Sequence, residues 1–537
     1  MSSRGPAYSV ARHLAIDTPS PPVAETAVWL RQYPIPSSPW HADAPRYLNL
    51  AQGVPSGMPT AAMRGKMAEE AAKDKHHSYG PANPGLMEAL ARNLNAVYRD
   101  GDDRGRGAVT TSDICLTAGC NMASEFAFRT VAELGANHGV VLPTPFYFNH
   151  SMQLLSLAIA PIPLPCSPSN GYLPSPTDFN SLLAKHRADS SLPEVRALVL
   201  VTPNNPTGAI YPAELIGDFA KICKQEKVAL ILDETYRDML VPEGEEEVPK
   251  GGSIKQVRPH DLFSDELEGD TEWQWRDAII HLYSFSKSFA IPGHRLGAMV
   301  THPHLISYAT ASSPGTTAEP RGGGGESVPT ESTVAPPTRR EFGPLAKAQD
   351  NTLICAPRTD VQAAVGWAIE DPGEVAWRRD TGVSLVRRAR LLKEGLERQI
   401  ELATLGLGLE EKAGEAKSPA ELGWKVESVG GYYAFVSHPF PTAAVPSANG
   451  GPTVSSTQVA RGLALLFGLG ILPGDMFVPA PNDKDDEQAR ESLAIGARHI
   501  RLSNANVTDE EALRTELPRR LVALTRLWEV KGCGWGV

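Results

Sequence analysis

The sequence has few cysteines and no long apolar run. Six of its 537 residues are cysteines, and none lies in a CxxC pair or beside a histidine with zinc-site spacing. This pattern predicts a protein of a reducing compartment, with no disulfide framework and no metal centre. The longest apolar stretch, residues 463–472, is well short of the length that a membrane-spanning helix needs, so we expect no membrane partner.

The chain also lacks an excess of positive charge. It has 51 Lys and Arg against 62 Asp and Glu, which gives a formal net charge of −11. A surface of this sign does not attract nucleic acid, so we predict no nucleic-acid partner. With 42% hydrophobic and 21% charged residues, the composition is that of a globular protein with a large core.

The first residues contain no apolar segment of the kind found in secretory signals. We interpret residues 1–25, which are polar and rich in proline, as a disordered leader. Residues 1–16 contain arginine and serine but no acid, a composition shared with transit peptides. The prediction is a cytoplasmic protein, with mitochondrial import as the alternative that stays open.

From about residue 59 to residue 309, amphipathic helical runs alternate with short apolar runs. Continuous apolar strands between helices predict a mostly parallel sheet that is covered on both faces. This region is therefore predicted to be a large α/β domain, with a site at the carboxyl ends of its strands. The runs that we predict to be strands are 139–142, 197–201, 228–232 and 278–282.

Two segments interrupt the alternating pattern. Residues 241–275 contain an acidic run and no clear periodicity, and residues 310–341 are rich in Gly, Pro, Ser and Thr. We predict both to be solvated insertions and the second to be disordered, because such compositions bury too little apolar surface to offset the entropy of ordering. The remaining residues, 342–537, are interpreted as a smaller α+β domain.

Two helices are predicted in this C-terminal part. An apolar repeat from Leu385 to Leu396 marks a long helix. The last helix has a capping box, Thr508 and Glu511, at its predicted start. Pro518 lies inside this helix and is expected to kink it.

The sharpest motif is Ser284-Phe285-Ser286-Lys287, which begins where an apolar strand ends. A lysine among small and apolar residues is well placed to lose its proton and form a Schiff base. Ser284 and the nearby Arg295 are suited to hold a phosphate, one as a neutral donor and the other as a fork-shaped cation. Taken alone, such a lysine is more often a solvent-facing residue. The other motifs therefore decide whether Lys287 is interpreted as a Schiff-base lysine.

Three further motifs follow apolar strands. Asp233 needs a charged partner if it is buried, and a protonated pyridine nitrogen would serve, with Tyr236 donating to the ring oxygen. The segment Thr117-Ala118-Gly119-Cys120-Asn121 is a glycine turn at a helix start, where backbone N–H groups bind anions such as phosphate. The segment Thr202–Gly208, which contains Asn205, is the last. Each of them alone is also the pattern of a helix cap or an ordinary turn.

Together, the four motifs resemble those of the class I/II aminotransferases, the fold-type I enzymes that use pyridoxal 5′-phosphate (PLP). The resemblance extends from about Leu48 to Val507, apart from the two insertions. It implies an α/β fold: a large domain with a mostly parallel, seven-stranded sheet, plus a smaller α+β domain. Residues 26–58 would form the N-terminal arm of the family. Tyr79 matches a tyrosine that reaches the phosphate of the partner subunit's cofactor, which implies a homodimer with shared active sites.

The resemblance also assigns roles around the cofactor. Lys287 would form the Schiff base and move a proton between the substrate α-carbon and PLP. Asp233 would pair with the pyridine nitrogen, Tyr236 and Asn205 would hydrogen-bond the ring oxygen, and Tyr147 would stack on the ring. The residues that would hold the phosphate are Gly119, Cys120, Asn121, Ser284 and Arg295.

On the substrate side, Arg501 matches the arginine that binds the α-carboxylate, with Gly53 and Asn205 beside it. The implied reaction is a ping-pong transfer of an amino group between an L-amino acid and a 2-oxo acid. Aromatic residues of the arm, among them Trp29 and Trp40, favour an aromatic or apolar amino acid, but packing of the arm explains them equally well.

Two alternatives stay open at this stage. A PLP-dependent β-elimination lyase, such as a C–S lyase, has the same fold and also begins with loss of the α-proton. A non-catalytic PLP-binding protein is the alternative from another class. It is less expected, because Lys287 and Arg501 are both present.

Overall fold

The structure is a computed structural model that describes residues 22–78, 80–242, 257–306, 357–446, 452–479 and 487–532. Its helices are α1 (Pro22–Gln32), α2 (Ala61–Ala71), α3 (Pro84–Tyr98), α4 (Cys120–Val131), α5 (Phe148–Ser156), α6 (Pro176–Ala188), α7 (Ala213–Glu226), α8 (Phe285–Ser288), α9 (Pro303–Ile306), α10 (Thr359–Glu370), α11 (Pro372–Glu397), α12 (Ser456–Phe467), α13 (Glu487–Arg498) and α14 (Ala512–Lys531). Its strands are β1 (Leu48–Asn49), β2 (Ile114–Thr117), β3 (His138–Thr144), β4 (Ala160–Pro165), β5 (Glu194–Val201), β6 (Ala229–Asp233), β7 (Ile279–Ser284), β8 (Gly297–Val300), β9 (Ile400–Glu401), β10 (Ala416–Lys417), β11 (Lys425–Gly430), β12 (Tyr433–Ser437), β13 (Leu469–Gly470), β14 (Leu472–Pro473) and β15 (His499–Ser503).

A seven-stranded sheet forms the centre of the large domain, in the order β2-β8-β7-β6-β5-β3-β4. Its strands are parallel to their neighbours, except that β8 runs antiparallel to β2 and to β7. The predicted mostly parallel sheet is therefore confirmed, and the four predicted strands correspond to β3, β5, β6 and β7.

The central strand β6 is apolar from Ala229 to Leu232 because both faces of the sheet are covered. Leu230 and Leu232 pack into one core cluster, with residues of α3, α6 and α7. Ile231, between them, points to the opposite face and packs into a second cluster, with residues of α4 and α5. Asp233 ends this strand, so the fold delivers its carboxylate to the edge of the sheet.

The small domain is built on a four-stranded sheet in the order β11-β12-β15-β14, in which neighbouring strands are antiparallel. The N-terminal arm is joined to this domain because β1 pairs with β13. Trp40 lies in the small-domain core and donates from Nε1 to the Leu405 carbonyl oxygen at 2.6 Å, and Trp29 packs against the same core. These two aromatics hold the arm in place and give no support for an aromatic substrate.

Two predicted boundaries differ from the structure. The helix α1 begins at Pro22, so the predicted leader of residues 1–25 is too long by the four residues Pro22–Glu25, and residues 1–21 lie outside the described residues. The helix α10 packs into the large-domain core, not into the small domain that was predicted to begin at residue 342. The predicted insertion at 310–341 lies outside the described residues.

Part of the other insertion is not a solvated segment. Residues 257–275 pack into the large-domain core through Leu262, Phe263, Trp273 and Trp275, each of which is fully buried. Trp273 donates from Nε1 to the Leu262 carbonyl oxygen at 2.7 Å. The prediction was wrong here because the acidic run at its start hid the large apolar side chains at its end. Residues 243–256 lie outside the described residues.

Replacing Trp273 with alanine is expected to lower the free energy of unfolding by about 3–5 kcal/mol, because the change leaves a large cavity in the core. Urea denaturation followed by circular dichroism measures this difference. The control is Leu134→Ala, since the Leu134 side chain is 50% exposed and little packing is lost there. Equal stabilities of the two variants would mean that residues 257–275 contribute nothing to the core.

The predicted capping box at Thr508 and Glu511 is also wrong. The helix α14 begins at Ala512, and Glu511 makes no side-chain capping bond. A tertiary contact explains the difference. Glu510 forms ion pairs with Arg387 and Arg388 of α11 at 2.6 and 2.8 Å, and the residues just before Ala512 form a turn. The helix continues unbroken past the buried Pro518.

Within the described residues, no helix is both long and apolar enough to cross a membrane.

Candidate active site

The carboxyl ends of β5, β6 and β7 open onto one cleft of about 200 Å³. Its walls come from the large domain, the small domain and the arm, including Val23 of α1. The predicted site residues that line it are Gly53, Cys120, Asn121, Tyr147, Asn205, Asp233, Tyr236, Ser284, Lys287, Arg295 and Arg501. Gly119 adjoins the cleft, and Tyr79 lies outside the described residues. The structure thus brings together the residues that the four motifs singled out, while their roles stay predictions.

Lys287 is held at the centre of the cleft. Strand β7 ends at Ser284, and the short helix α8 that follows carries Lys287. Its Nζ donates to the carbonyl oxygen of Gly53 at 2.5 Å. Burial lowers the pKa of Lys287 to about 8, and the charges of Arg501 and Arg295 add to this effect. This amine therefore becomes neutral and nucleophilic at a lower pH than an ordinary lysine does.

Asp233 is a buried carboxylate with hydrogen bonds on both of its oxygens. Its Oδ1 accepts from the Thr235 hydroxyl at 2.6 Å and from the Thr235 backbone N–H at 3.0 Å. Its Oδ2 lies 3.4 Å from Nε2 of His150, a residue that the sequence analysis missed. Burial by itself raises the pKa of Asp233, but the contacts with His150 and Thr235 outweigh it and hold the pKa below its ordinary value. Asp233 is therefore a permanent negative charge in the cleft.

The start of α4 and Arg295 form a further wall of the cleft, whose groups are suited to an anion. Gly119 precedes α4 with a positive φ of 88°, and the first two residues of this helix, Cys120 and Asn121, line the cleft. The first backbone N–H groups of a helix have no acceptor inside the helix. Arg295 lies directly against Gly119, where a side chain at Gly119 would displace its guanidinium group. Ser284 also lines the cleft. A helix N-terminus with an arginine beside it is a site for a phosphate.

Arg501, on β15, is buried between the rings of Tyr433 and Phe477, whose centroids lie 4.4 and 5.2 Å from its guanidinium carbon. Its Nη1 donates to Oδ1 of Asn205 at 2.9 Å, and its Nη2 donates to the Ala51 carbonyl oxygen. Its Nε is buried and has no hydrogen-bond partner among the described residues. Such a cation is suited to bind the carboxylate of a ligand.

Tyr433 is a second site residue that the sequence analysis missed. It is the first residue of β12, and its hydroxyl group lies 2.7 Å from that of Tyr236. On the other wall, the hydroxyl of Tyr147 donates to Oδ1 of Asn121 at 3.3 Å. In the sequence, Tyr433 is the second of two adjacent tyrosines after Gly431, and nothing there marks it as a partner of Tyr236.

The comparison with protein families agrees with this arrangement. The family model described as aminotransferase class I and II matches residues 45–321, which is more than half of the chain. The chain belongs to this family. Class I and II aminotransferases are PLP-dependent enzymes, so the predicted enzyme class and the predicted family are confirmed.

Individual aminotransferases resemble the chain more distantly. The aromatic aminotransferase ISS1 of Arabidopsis thaliana is 26% identical over 352 residues, which cover 65% of this chain and 70% of that protein. An aspartate aminotransferase of Pinus pinaster is 26% identical over 48% of this chain and 46% of its own length. The solved structure of an aspartate aminotransferase from Thermus thermophilus with maleate has a TM-score of 0.61 at 19% identity, and covers 96% of this chain and 97% of that one. This last likeness confirms the fold-type I aminotransferase fold.

Proposed function

We propose that this aminotransferase binds PLP and transfers an amino group from an L-amino acid with an apolar or aromatic side chain to a 2-oxo acid. The observation that carries the proposal is the contact of the Lys287 amine with the Gly53 carbonyl oxygen at 2.5 Å. That contact places the amine in one cleft with a buried carboxylate, Asp233, and a buried guanidinium group, Arg501.

The residues of the cleft fit PLP at three points. The charge of Asp233 suits the protonated ring nitrogen, which would compensate for burial of the carboxylate. The backbone N–H groups at the start of α4, together with Ser284 and Arg295, suit the phosphate. The amine of Lys287 suits the aldehyde. When bound, PLP supplies an electron sink for the negative charge that forms at the substrate α-carbon.

The protein contributes binding, orientation and proton transfer. Arg501 would bind the substrate α-carboxylate, since its Nε has no partner and Asn205 orients the group through Nη1. Holding the carboxylate fixes which bond of the α-carbon is broken. Lys287 would take the α-proton on its Nζ and return it, because its lowered pKa lets the amine both accept and release a proton.

The proposed substrate class is supported by charge and by the cleft walls. The cationic side chains that line the cleft in the described residues are Lys287, Arg295 and Arg501. In the proposal, Lys287 and Arg295 bind PLP, so Arg501 is left as the binding site for a single substrate carboxylate. The apolar side chains that line the cleft include Val23, Val54 and Phe148, which suit an apolar side chain of the substrate.

A panel of amino acids tests the proposal and separates it from the lyase alternative. The PLP-loaded protein is mixed with one amino acid at a time, and its absorbance spectrum, 2-oxo acid and ammonia are followed. We expect leucine, phenylalanine and tyrosine to react faster than aspartate or glutamate, with a 2-oxo acid formed and no ammonia. Faster reaction with aspartate would overturn the substrate class, and stoichiometric ammonia from cysteine conjugates would indicate β-elimination.

The lowered pKa of Lys287 gives a pH dependence for cofactor loading. Attachment of PLP requires the neutral amine, so the loading rate of cofactor-free protein is expected to rise with pH and to level off above about 8. Stopped-flow absorbance at constant ionic strength measures this rate. Free N-acetyl-lysine methyl ester is the matched control, and its rate should keep rising towards the ordinary lysine pKa, near 10.4. The same profile for protein and control would mean that the cleft does not lower the pKa of Lys287.

We also propose that the enzyme is a homodimer with shared active sites. Support comes from the family and from the match at Tyr79. Sedimentation velocity tests the assembly, and a mixture of Lys287→Ala and Tyr79→Phe subunits tests the sharing of sites. Recovery of activity on mixing the two variants is expected, because a hybrid dimer would contain one intact site.

A further inference from the structure

We infer that Tyr433 is a positioning residue of this active site, whose hydroxyl group directs the proton of Tyr236 towards the cofactor and whose ring holds Arg501 for the substrate carboxylate. The inference rests on the proposed function, since it concerns how the same cleft holds PLP and substrate.

Tyr236 and Tyr433 share one hydrogen bond between their hydroxyl groups, and only one of them can donate the proton in it. The hydroxyl oxygens of Tyr236 and Tyr433 are 2.7 Å apart, and either can be the donor. Each hydroxyl has one proton to donate. If Tyr236 donates its proton to the ring oxygen of PLP, the proton in the 2.7 Å contact has to come from Tyr433. A hydroxyl that accepts a hydrogen bond becomes a stronger donor, so Tyr433 would strengthen the bond from Tyr236 to PLP.

The hydroxyl groups of Tyr236 and Tyr433 are both protonated at neutral pH. Burial, followed by the neighbouring Tyr433, raises the pKa of Tyr236 well above its ordinary value. Burial also raises the pKa of Tyr433, against the lowering effect of the Arg501 charge. Both hydroxyl groups therefore keep their protons at neutral pH. Other titratable groups near this pair include Tyr147, Asp233 and Tyr432, and the Tyr432 ring centroid lies 4.9 Å from that of Tyr236.

The ring of Tyr433 contacts Arg501. The guanidinium carbon of Arg501 lies 4.4 Å from the centroid of the Tyr433 ring, in a cation–π contact. The two residues are on adjacent strands of the small-domain sheet, because Arg501 is opposite Phe435, two residues along β12 from Tyr433. They therefore belong to one rigid sheet, and the ring fixes one face of the guanidinium group.

Tyr433 also lies next to Gly53, the residue that accepts the hydrogen bond from Lys287. The Tyr433 hydroxyl fills the space that a Cβ atom at Gly53 would need. Gly53 is the residue whose carbonyl oxygen accepts the hydrogen bond from Nζ of Lys287. Tyr433 thus contacts Tyr236, Arg501 and Gly53, each of which serves a different function in the cleft.

The experiment is a spectroscopic pH titration of the PLP-loaded protein, with Tyr433→Phe, Tyr236→Phe and the double variant beside the wild type. The absorbance of the loaded enzyme reports the proton on the Lys287 nitrogen. The ring oxygen of PLP is close to this nitrogen in the covalent structure and attracts its proton. A hydrogen-bond donor to the ring oxygen reduces that attraction. Loss of the donor therefore raises the pH at which half of the Lys287 nitrogen has lost its proton, which is the midpoint of the titration.

We expect the Tyr433→Phe midpoint to rise by roughly half to one pH unit. We expect a larger rise for Tyr236→Phe, and no additional rise when Tyr433→Phe is added to Tyr236→Phe. Near-ultraviolet circular dichroism checks that each variant is folded. Equal midpoints for wild type and Tyr433→Phe would overturn the role of the hydroxyl, as would an equal additional rise in both backgrounds.

The ring is tested separately by comparing Tyr433→Phe with Tyr433→Leu. The phenylalanine keeps the ring against Arg501, so KM for the amino acid should stay near the wild-type value. The leucine removes the ring, and KM should rise roughly tenfold. Equal KM values in the two variants would overturn the role of the ring. If the wild type itself shows no absorbance band of attached PLP, the proposed function fails, whereas a normal band with unchanged midpoints defeats this inference alone.

Discussion

Replacing Lys287 with alanine is expected to reduce turnover by roughly 10⁴-fold or more and to remove the absorbance band of covalently attached PLP. The reason is that one amine serves both as the attachment point and as the proton carrier at the α-carbon. The proposed phosphate site at the start of α4 and Arg295 does not include Lys287, so the variant should still bind PLP, but reversibly. Gel filtration followed by absorbance distinguishes attached from reversibly bound PLP.

The control is Lys425→Ala, because the Lys425 side chain is 70% exposed and lies outside the cleft. This variant should retain the band and the wild-type turnover. If Lys287→Ala kept an attached cofactor after gel filtration, another lysine would have to hold it, and the proposed reaction would lose its proton carrier. Turnover within tenfold of the wild type would contradict the proposal in the same way.

Replacing Arg501 with lysine is expected to lower kcat/KM for amino acids by roughly 10²–10³-fold. The substitution keeps the positive charge, but an ammonium group cannot form the fork that binds both oxygens of a carboxylate. It also loses the donor to Asn205, which orients the guanidinium group at 2.9 Å. Steady-state kinetics with a good amino acid substrate measures the loss.

Amines without a carboxylate provide the internal control for Arg501→Lys. An amine such as phenethylamine makes no contact with Arg501, so its slow reaction should be equal in wild type and variant. The loss should therefore appear only with the amino acid, and the absorbance band of attached PLP should be unchanged. An equal loss on amine and amino acid would show that Arg501 supports the fold of the cleft and does not bind the carboxylate.

The sequence was informative where a short motif lies at the end of an apolar strand. Asp233 and Ser284 end β6 and β7, and parallel strands bring their carboxyl ends to one edge of the sheet. His150 and Tyr433 were missed for different reasons. His150 is three residues after Tyr147, a spacing that shares a helix face, but nothing in the sequence marks Asp233 as its partner. Tyr433 comes from a different domain, so only the tertiary structure brings it to Tyr236.

Residues 257–275 show the limit of composition as a guide. His260 comes from this segment, and its Nε2 lies 3.4 Å from Glu234, the residue after Asp233. Glu234 also accepts from Nε2 of His281 at 2.7 Å and binds the Tyr98 hydroxyl. A buried carboxylate needs such partners, yet no periodic pattern connects His260 with β6. Composition could identify the acidic run but could not show that the residues after it support the strand that carries Asp233.

The cleft joins parts of the chain that are made at very different times. Lys287 contacts Gly53 across 234 residues, and Arg501 contacts Ala51 across 450 residues. Since synthesis proceeds from the N-terminus, the arm emerges from the ribosome long before its partners on β13 and β15 exist. A nascent chain that ends before residue 499 therefore contains Lys287, Asp233 and the residues of the proposed phosphate site but lacks Arg501, the proposed carboxylate site. In the cell, the capacity to hold cofactor would precede the capacity to recognise an amino acid, and only release of the completed chain joins the two.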